Sequence, residues 1–277
     1  MTVQGPAGST ETIEYEGLKL TFDGPLATLT LNDPKRLNAL TPTMANGVAD
    51  ALLELSKPRR RVRGLLLTGE GRAFCAGANL AAEAGSAGKG GKRHALTSLE
   101  SAYHPMLRRL RALPIPLVAA VHGPCVGIGL AMALAADHLV ASDAAYFLVP
   151  FRNLASAPDS GLTWLLPRLV GVKRAQRMIL QAERVPADRA LEWGLVSQLV
   201  SQDDFAVQSH AAAMGFAKGP TVALSEMKKL IAGSATWGLD EAMEAEALAV
   251  ATTSRTKDNL AAIRVFGTKD KPVFTGE

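Results

Sequence analysis

The chain has 277 residues, 48% of them apolar and 20% charged, with a net charge of +4. That length supports one large domain or a domain with an appendage, and the charge content is too low for a disordered protein. Aromatic residues make up only 5%, and the basic residues cluster locally, as in "KPRRRVRG" (57–64). Both features argue against a nucleic-acid protein, while a local basic excess suits a small anionic ligand such as a phosphorylated cofactor.

Residues 1–12 are rich in Gly, Ser, Thr and Pro and are predicted to be disordered. "LKLTFDGPLATLTLN" (18–32) alternates around Asp-Gly and predicts two strands joined by a turn. "PKRLNALTPTMANGVADALLELSK" passes from a loop into an amphipathic helix with Met44, Val48, Leu52 and Leu55 on one face. "VRGLLLTGEG" predicts a short buried strand. "AGSAGKGGKRHA" (84–95) predicts a flexible loop, and 96–113 a helix ended by Pro114 and Pro116. "PLVAAVHG" is another buried strand, followed by "PCVGIGLAMALAAD", a glycine-rich turn opening a helix. "HLVASDAAYFLV" adds strand. "GLTWLLPRLVGVKRAQRMILQ" is helical with a break near Pro167–Gly171, and "ADRALEWGLVSQLV" is a helix and then a strand. From about 204 the chain predicts helix only.

Strand and helix thus alternate over 200 residues, which defines an α/β class. The expected organisation is a core over 13–203 and a helical region over 204–277 that docks on the core or on another subunit. Cys75 and Cys125 form no CxxC pair and no disulfide framework. The N-terminus lacks an apolar signal segment, and the longest apolar run, "GIGLAMALAA", is too short to span a bilayer. A cytoplasmic protein is the expectation.

Two segments carry a shared pattern: "GEGRAFCAGANL" (69–80) and "HGPCVGIGL" (122–130). Each reads as a buried strand, then small residues, then the start of a helix. Helix N-termini leave backbone N–H groups unpaired, and small residues let a ligand approach them. Two such termini brought together can aim two N–H groups at one oxygen, forming an oxyanion hole. The alternative is tight helix–strand packing at glycine. "GIGLAMA" also matches part of a dinucleotide fingerprint, but Asp143 follows too soon for it. The five histidines form no metal pattern. His122 sits at a strand end, where a turn hydrogen bond is expected.

"PKRLNAL", "GEGRAFCAGANL", "PLVAAVHGPCVGIGLAMALAAD" and "PRLVGVKRAQRMIL", in this order, resemble the crotonase (enoyl-CoA hydratase/isomerase) family, from about residue 16 to the closing "KPVFTGE". The resemblance implies a spiral of ββα units with a C-terminal helical trimerisation region, and an acyl-CoA thioester as substrate. It places the two oxyanion N–H groups on Ala78 and Ile128. It places coenzyme contacts at Lys35 and Arg36, along the backbone of Ala39, Ala76 and Leu80, and at Phe266 and Lys269 on the terminal helix, often toward a neighbour's coenzyme. Coenzyme A is then part of the substrate, and no metal or resident cofactor is implied. A homotrimer or dimer of trimers is expected.

The departures are as informative. The two glutamates with which hydratases of the family orient water fall at Ala131 and Phe151, and neither residue can move a proton. One acid stands nearby, Asp159 in "APDSGLTWLLP". In double-bond-shifting members, including the epoxyphenylacetyl-CoA isomerase type that "PDSGLTWLLPRLVG" resembles most, this position is a catalytic aspartate. A thioester enolate held in the hole acidifies the α and vinylogous γ carbons, so one carboxylate can shuttle the proton. Phe151, Leu162 and Trp164 are expected to make a dry pocket that raises the Asp159 pKa. The alternative for Asp159 is an Asx-turn or N-cap ahead of the "GLTWLL" helix. The expected function is an acyl-CoA double-bond isomerase. The alternatives are a hydratase-like member with weak or no hydration, and a non-catalytic acyl-CoA binder.

Overall fold

The computed structural model describes residues 11–80 and 96–277. Residues 1–10 of the expected disordered stretch lie outside it, as does the 84–95 loop with His94. Glu11 and Thr12 correct the boundary: they begin β1 (Glu11–Tyr15), which pairs antiparallel with β2 (Leu18–Asp23), Thr12 opposite Thr21 and Ile13 opposite Leu20. Only Ile13 and Tyr15 of β1 pack on the core, so its apolar signal is faint.

β3 (Leu26–Leu31) pairs antiparallel with β2 across the predicted Asp-Gly turn, then parallel with β4 (Gly64–Gly69). β5 (Leu117–Val121), β7 (His138–Ser142) and β10 (Gln198–Val200) continue the parallel part, so the large sheet runs β1-β2-β3-β4-β5-β7-β10. The runs "LLL" in β4 and "LVAAV" in β5 are buried throughout, as expected of parallel strands covered on both faces. A second sheet, order β6-β8-β9, consists of β6 (Pro124–Val126), β8 (Tyr146–Leu148) and the two-residue β9 (Val185–Pro186).

The repeat is a strand in the large sheet, a strand in the small sheet, then a helix. β5 leads to β6 and α3 (Ile128–Ala133); β7 leads to β8, a 3₁₀ turn and α4 (Leu162–Val170). This is the expected ββα spiral. Ahead of it, α1 (Pro42–Leu55) is started by Thr41, whose Oγ1 accepts the Met44 N–H at 3.1 Å, with Pro42 preset for the first turn. Its buried face holds Met44, Val48, Leu52 and Leu55, as its periodicity predicts. The helix predicted over 96–113 is divided: a π turn (Leu99–Tyr103) precedes α2 (His104–Arg111). Pro167 stands inside α4, and the break before α5 (Val172–Leu180) falls at Gly171. α6 (Ala187–Glu192) precedes β10.

The helical region begins with α7 (Phe205–Ala217). It is part of the core: Ala213 and Ala217 are buried with Leu66, Val118 and Val140 of the sheet. α8 (Thr221–Gly233), α9 (Leu239–Thr253) and α10 (Lys257–Val265) follow. They expose Ile231 (73%), Leu248 (71%) and Ile263 (62%). The tail returns to α10, where the Asp258 carboxylate accepts the N–H groups of Thr275 and Gly276 at 2.6 and 2.9 Å.

The basic run "KPRRRVRG" is not a purely solvated face. Arg60 packs over the Phe22 ring at 4.3 Å and pairs with Glu54 and Glu11. Arg63 donates to Thr221 Oγ1 and to the carbonyls of Gly219 and Phe274. Among the described residues no helix is long and apolar enough to cross a membrane.

Candidate active site

The two glycine-rich turns lie side by side because their chains bond to each other. The Cys75 N–H donates to Pro124 O at 3.0 Å, and the Val126 N–H donates to Cys75 O at 2.9 Å. On the other flank, the Ala76 N–H donates to Leu37 O, the Leu40 N–H to Gly77 O, and the Asn79 N–H to Leu40 O. In that parallel bridge Leu40 turns its own polar groups toward Ala78. Ala78 therefore turns its own N–H away from Leu40, to the side where the second turn runs. The Ala78 N–H meets no acceptor among the described residues.

Gly127 sets the second amide. Its φ of 53° and ψ of −118° are open to glycine alone, and they swing the peptide that carries the Ile128 N–H. The first N–H to bond back along α3 is that of Ala131, to Gly127 O, so the Ile128 amide has no partner within the helix. A methyl group on Gly127 would lie 4.0 Å from the Gly77 Cα. The two turns thus abut at the residues just before Ala78 and Ile128. Glycine packing, the alternative reading, operates one residue further on: a methyl group on Gly129 would lie 2.6 Å from Cys75 Cβ. Gly129 thus serves packing, while Gly127 turns the Ile128 amide. α3 has only six residues, so oriented amides matter more here than a helix dipole.

Asp159 follows the 3₁₀ turn Phe151–Leu154, on a loop that reaches α4 through left-handed Ser160 (φ 57°) and Gly161 (φ 77°). The N-cap reading is corrected: the N-cap is Gly161 and no side chain caps α4. The Asp159 main-chain carbonyl accepts the Leu162 N–H, while its carboxylate, among the described residues, accepts only the Ser160 hydroxyl, on Oδ1 at 2.8 Å. Oδ2 is free of protein donors among the described residues. Burial raises the Asp159 pKa above the usual 3.8, opposed by the Ser160 hydrogen bond and the charge of His104. His104 lies on α2 and lines a cavity of about 290 Å³ together with Leu107, Arg108, Ser160 and Gly161.

Ala131 (0% exposed) and Phe151 (9%) are packed in the core, and Leu162 is buried beside them. Trp164 departs from expectation. It is 40% exposed on the outward face of α4, with the guanidinium of Arg168 4.2 Å and that of Arg111 5.1 Å from its ring centre. It is a wet wall of the cavity, because α4 turns Leu162, Leu165 and Leu166 inward in its place.

Of the expected coenzyme residues, Ala39, Ala76 and Leu80 fall on the paired segments 37–40 and 76–80. The Ala39, Ala76 and Leu80 N–H groups are taken by Arg36 O, Leu37 O and Ala78 O. Lys35 and Arg36 are exposed on the 3₁₀ turn Pro34–Arg36, and Arg36 pairs with Asp33 at 3.0 Å. Phe266 (90% exposed) caps α10, which ends at Val265. Lys269 therefore lies beyond the helix, after Gly267 (φ 80°). No hydrogen bond or ion pair among the described residues joins Phe266 or Lys269 to residues 35–40 or 76–80.

Cys75 and Cys125 are fully buried on bridged residues; burial pushes the Cys75 thiol up to about 11 and Cys125 well above its usual value. Neither is a thiolate nucleophile at neutral pH. His122 Nε2 meets Gly71 O at 2.8 Å, and burial holds its pKa below 6.5; it steadies the turn ahead of the first motif. Asn38, inside "PKRLNAL", escaped the sequence reading because a lone Asn carries no motif. It is fully buried and bonded to four main-chain groups.

The family model described as enoyl-CoA hydratase/isomerase matches residues 21–277, so the chain belongs to that family of enzymes, which acts on acyl-CoA thioesters. Similar proteins carry different activities. The 1,2-epoxyphenylacetyl-CoA isomerase of Escherichia coli is 36% identical over 90% of this chain and 95% of its own. A 4-chlorobenzoyl coenzyme A dehalogenase of Arthrobacter is 32% identical over 80% and 79%. The crystal structure of an enoyl-CoA hydratase from Bacillus anthracis superposes with a TM-score of 0.86 at 28% identity, covering 94% of this chain and all of the other.

Proposed function

We propose that the protein is an acyl-CoA double-bond isomerase, with the N–H groups of Ala78 and Ile128 as an oxyanion hole and Asp159 as the proton shuttle. The supporting observation is the combination of two adjacent, unpartnered amides with a single half-buried carboxylate that keeps one oxygen free. The thioester carbonyl oxygen accepts both N–H groups, and negative charge gathers on it as the Asp159 carboxylate removes a proton from the α or γ carbon. The protonated Asp159 returns the proton at the other carbon. Each donor is worth about 3 kcal/mol in such a transition state. A pKa raised by burial brings Asp159 closer to the operating pH and eases the return.

Coenzyme A arrives as part of the substrate, and the reaction needs no resident cofactor. Its phosphates are met by Lys35 and Arg36, and the slot for the rest of the coenzyme is lined by the backbone of Ala39, Ala76 and Leu80. Phe266 and Lys269, exposed at the end of α10, serve a neighbouring subunit. The exposed apolar residues of α8–α10 support assembly as a trimer or dimer of trimers. A cytoplasmic setting is supported by two neighbouring thiols left unpaired. Unsaturated or ring-derived acyl groups of the epoxyphenylacetyl type are the first substrates to try, on the similarity to the E. coli isomerase.

Alkene hydration is a weaker reading, because Ala131 and Phe151 cannot position or deprotonate water. The test is to supply 3-enoyl-CoA and 2-enoyl-CoA separately. Conjugation of the former without water addition to the latter supports the isomerase. Water addition to 2-enoyl-CoA would replace it with a hydratase. Binding of both thioesters without turnover would leave an acyl-CoA binder.

A further inference from the structure

We propose that Asn38 is a positioning residue for the oxyanion hole: its buried carboxamide clamps the 70–74 loop and so fixes the segment that presents the Ala78 N–H. This inference rests on the hole proposed above.

Asn38 is 0% exposed and sits at φ 56°, directly after Leu37 at φ 54°. Asparagine tolerates this left-handed region better than other side-chain-bearing residues. The turn sends the side chain inward. Its Oδ1 accepts the Asp33 N–H at 2.9 Å. Its Nδ2 lies 2.9 Å from Glu70 O, 2.8 Å from Ala73 O and 3.2 Å from Phe74 O. Two N–H protons are shared among three carbonyls that have no other donor among the described residues. A buried carbonyl left without a donor is costly, so the loop is drawn onto Asn38.

Two of those carbonyls, on Ala73 and Phe74, lie directly ahead of Cys75. From Cys75 to Asn79 the chain makes main-chain bonds to Pro124 and Val126 on one flank and to Leu37 and Leu40 on the other. The residue that anchors the entrance to this segment is also part of its neighbouring segment, 37–40. Asn38 therefore ties the chain entering this segment to 37–40 through a side chain, in addition to the main-chain bonds that Leu37 and Leu40 make to it. Oxyanion donors act only within about 2.7–3.1 Å of the developing charge, and a misplacement of about 1 Å can cost about 100-fold in rate.

The test uses the full chain with para-dimethylaminocinnamoyl-CoA, a chromophoric thioester whose absorption moves to the red when its carbonyl accepts hydrogen bonds. The shift is read at saturating ligand, so a change in affinity does not enter it. Asn38→Gly keeps the positive φ and removes the clamp. Asn38→Asp keeps shape and φ but puts oxygen where the donors were, and it carries the test if the glycine variant does not fold. The expected result is a red shift in the wild type that falls by half or more in the variants, with kcat for the 3-enoyl-CoA lowered about 10–100-fold. Variants that melt earlier yet retain the full shift and a kcat within about twofold of the parent would overturn the role of Asn38 alone. A wild type that binds the probe without any shift would remove the hole, and this inference with it.

Discussion

Asp159 shows how one residue reports on both stability and chemistry. Its folded-state pKa is raised above 3.8, burial being the main cause. The folded protein therefore holds this proton to higher pH than the unfolded chain does. The stability linked to it is fully present below 3.8 and is lost as pH rises through the raised value. At neutral pH the ionised, half-buried carboxylate works against folding. Asp159→Asn is thus expected to melt at the same or higher temperature at pH 7, with a flatter melting curve against pH above 3.8, while isomerase turnover falls about 100-fold or more. A fall in melting temperature of several degrees at pH 7 would show that the carboxylate is structural. Asp159 was visible as a candidate because it is a lone acid in a string that resembles the isomerase type. Asn38 was not, because its role depends on carbonyls more than thirty residues away in sequence.

At the scale of elements, the two turns are held in register by contacts that leave no room for a side chain. Gly129→Ala would place a methyl group 2.6 Å from Cys75 Cβ and 2.8 Å from Cys75 O. The expected cost is about 1–3 kcal/mol of stability, read by denaturant unfolding, together with a loss of kcat because the turns are pushed apart; an unchanged midpoint would show that α3 moves freely. The end of α1 gives a second expectation. Lys57, Arg60 and Arg59 surround Glu54 and hold its pKa down to about 2. Its stabilisation is present above 4.5 and disappears as pH falls toward 2. Glu54→Gln should flatten the acid side of a plot of melting temperature against pH, and an unaltered acid side would mean the cluster contributes nothing. The basic run was visible in the sequence, but its Glu11 partner was not, since Glu11 falls in the stretch 1–12 read as disordered. A five-residue edge strand with two inward residues carries too little periodicity to be seen.

For the whole molecule, the alternation of apolar runs and helices was enough to give the α/β class, while the ββα spiral came from the family resemblance of the motifs. The alternation was not enough to separate α7 from the helices after it. α7 meets the sheet through Ser209, Ala213 and Ala217, small residues that give a weak amphipathic signal, whereas α8–α10 leave their large apolar residues outside. Sedimentation is expected to show a trimer or dimer of trimers, with Ile231→Glu and Leu248→Glu lowering the mass. A wild type that stays monomeric at micromolar concentration would end that part of the proposal.

The most direct measurement is isotope entry in heavy water, followed by NMR on a 3-enoyl-CoA incubated with the wild type and with Asp159→Asn. As the Asp159 proton exchanges with solvent over repeated turnover, deuterium should appear at both the α and γ carbons with the wild type and at neither with the variant. Equal incorporation by the two proteins would contradict Asp159 as the group that carries the proton.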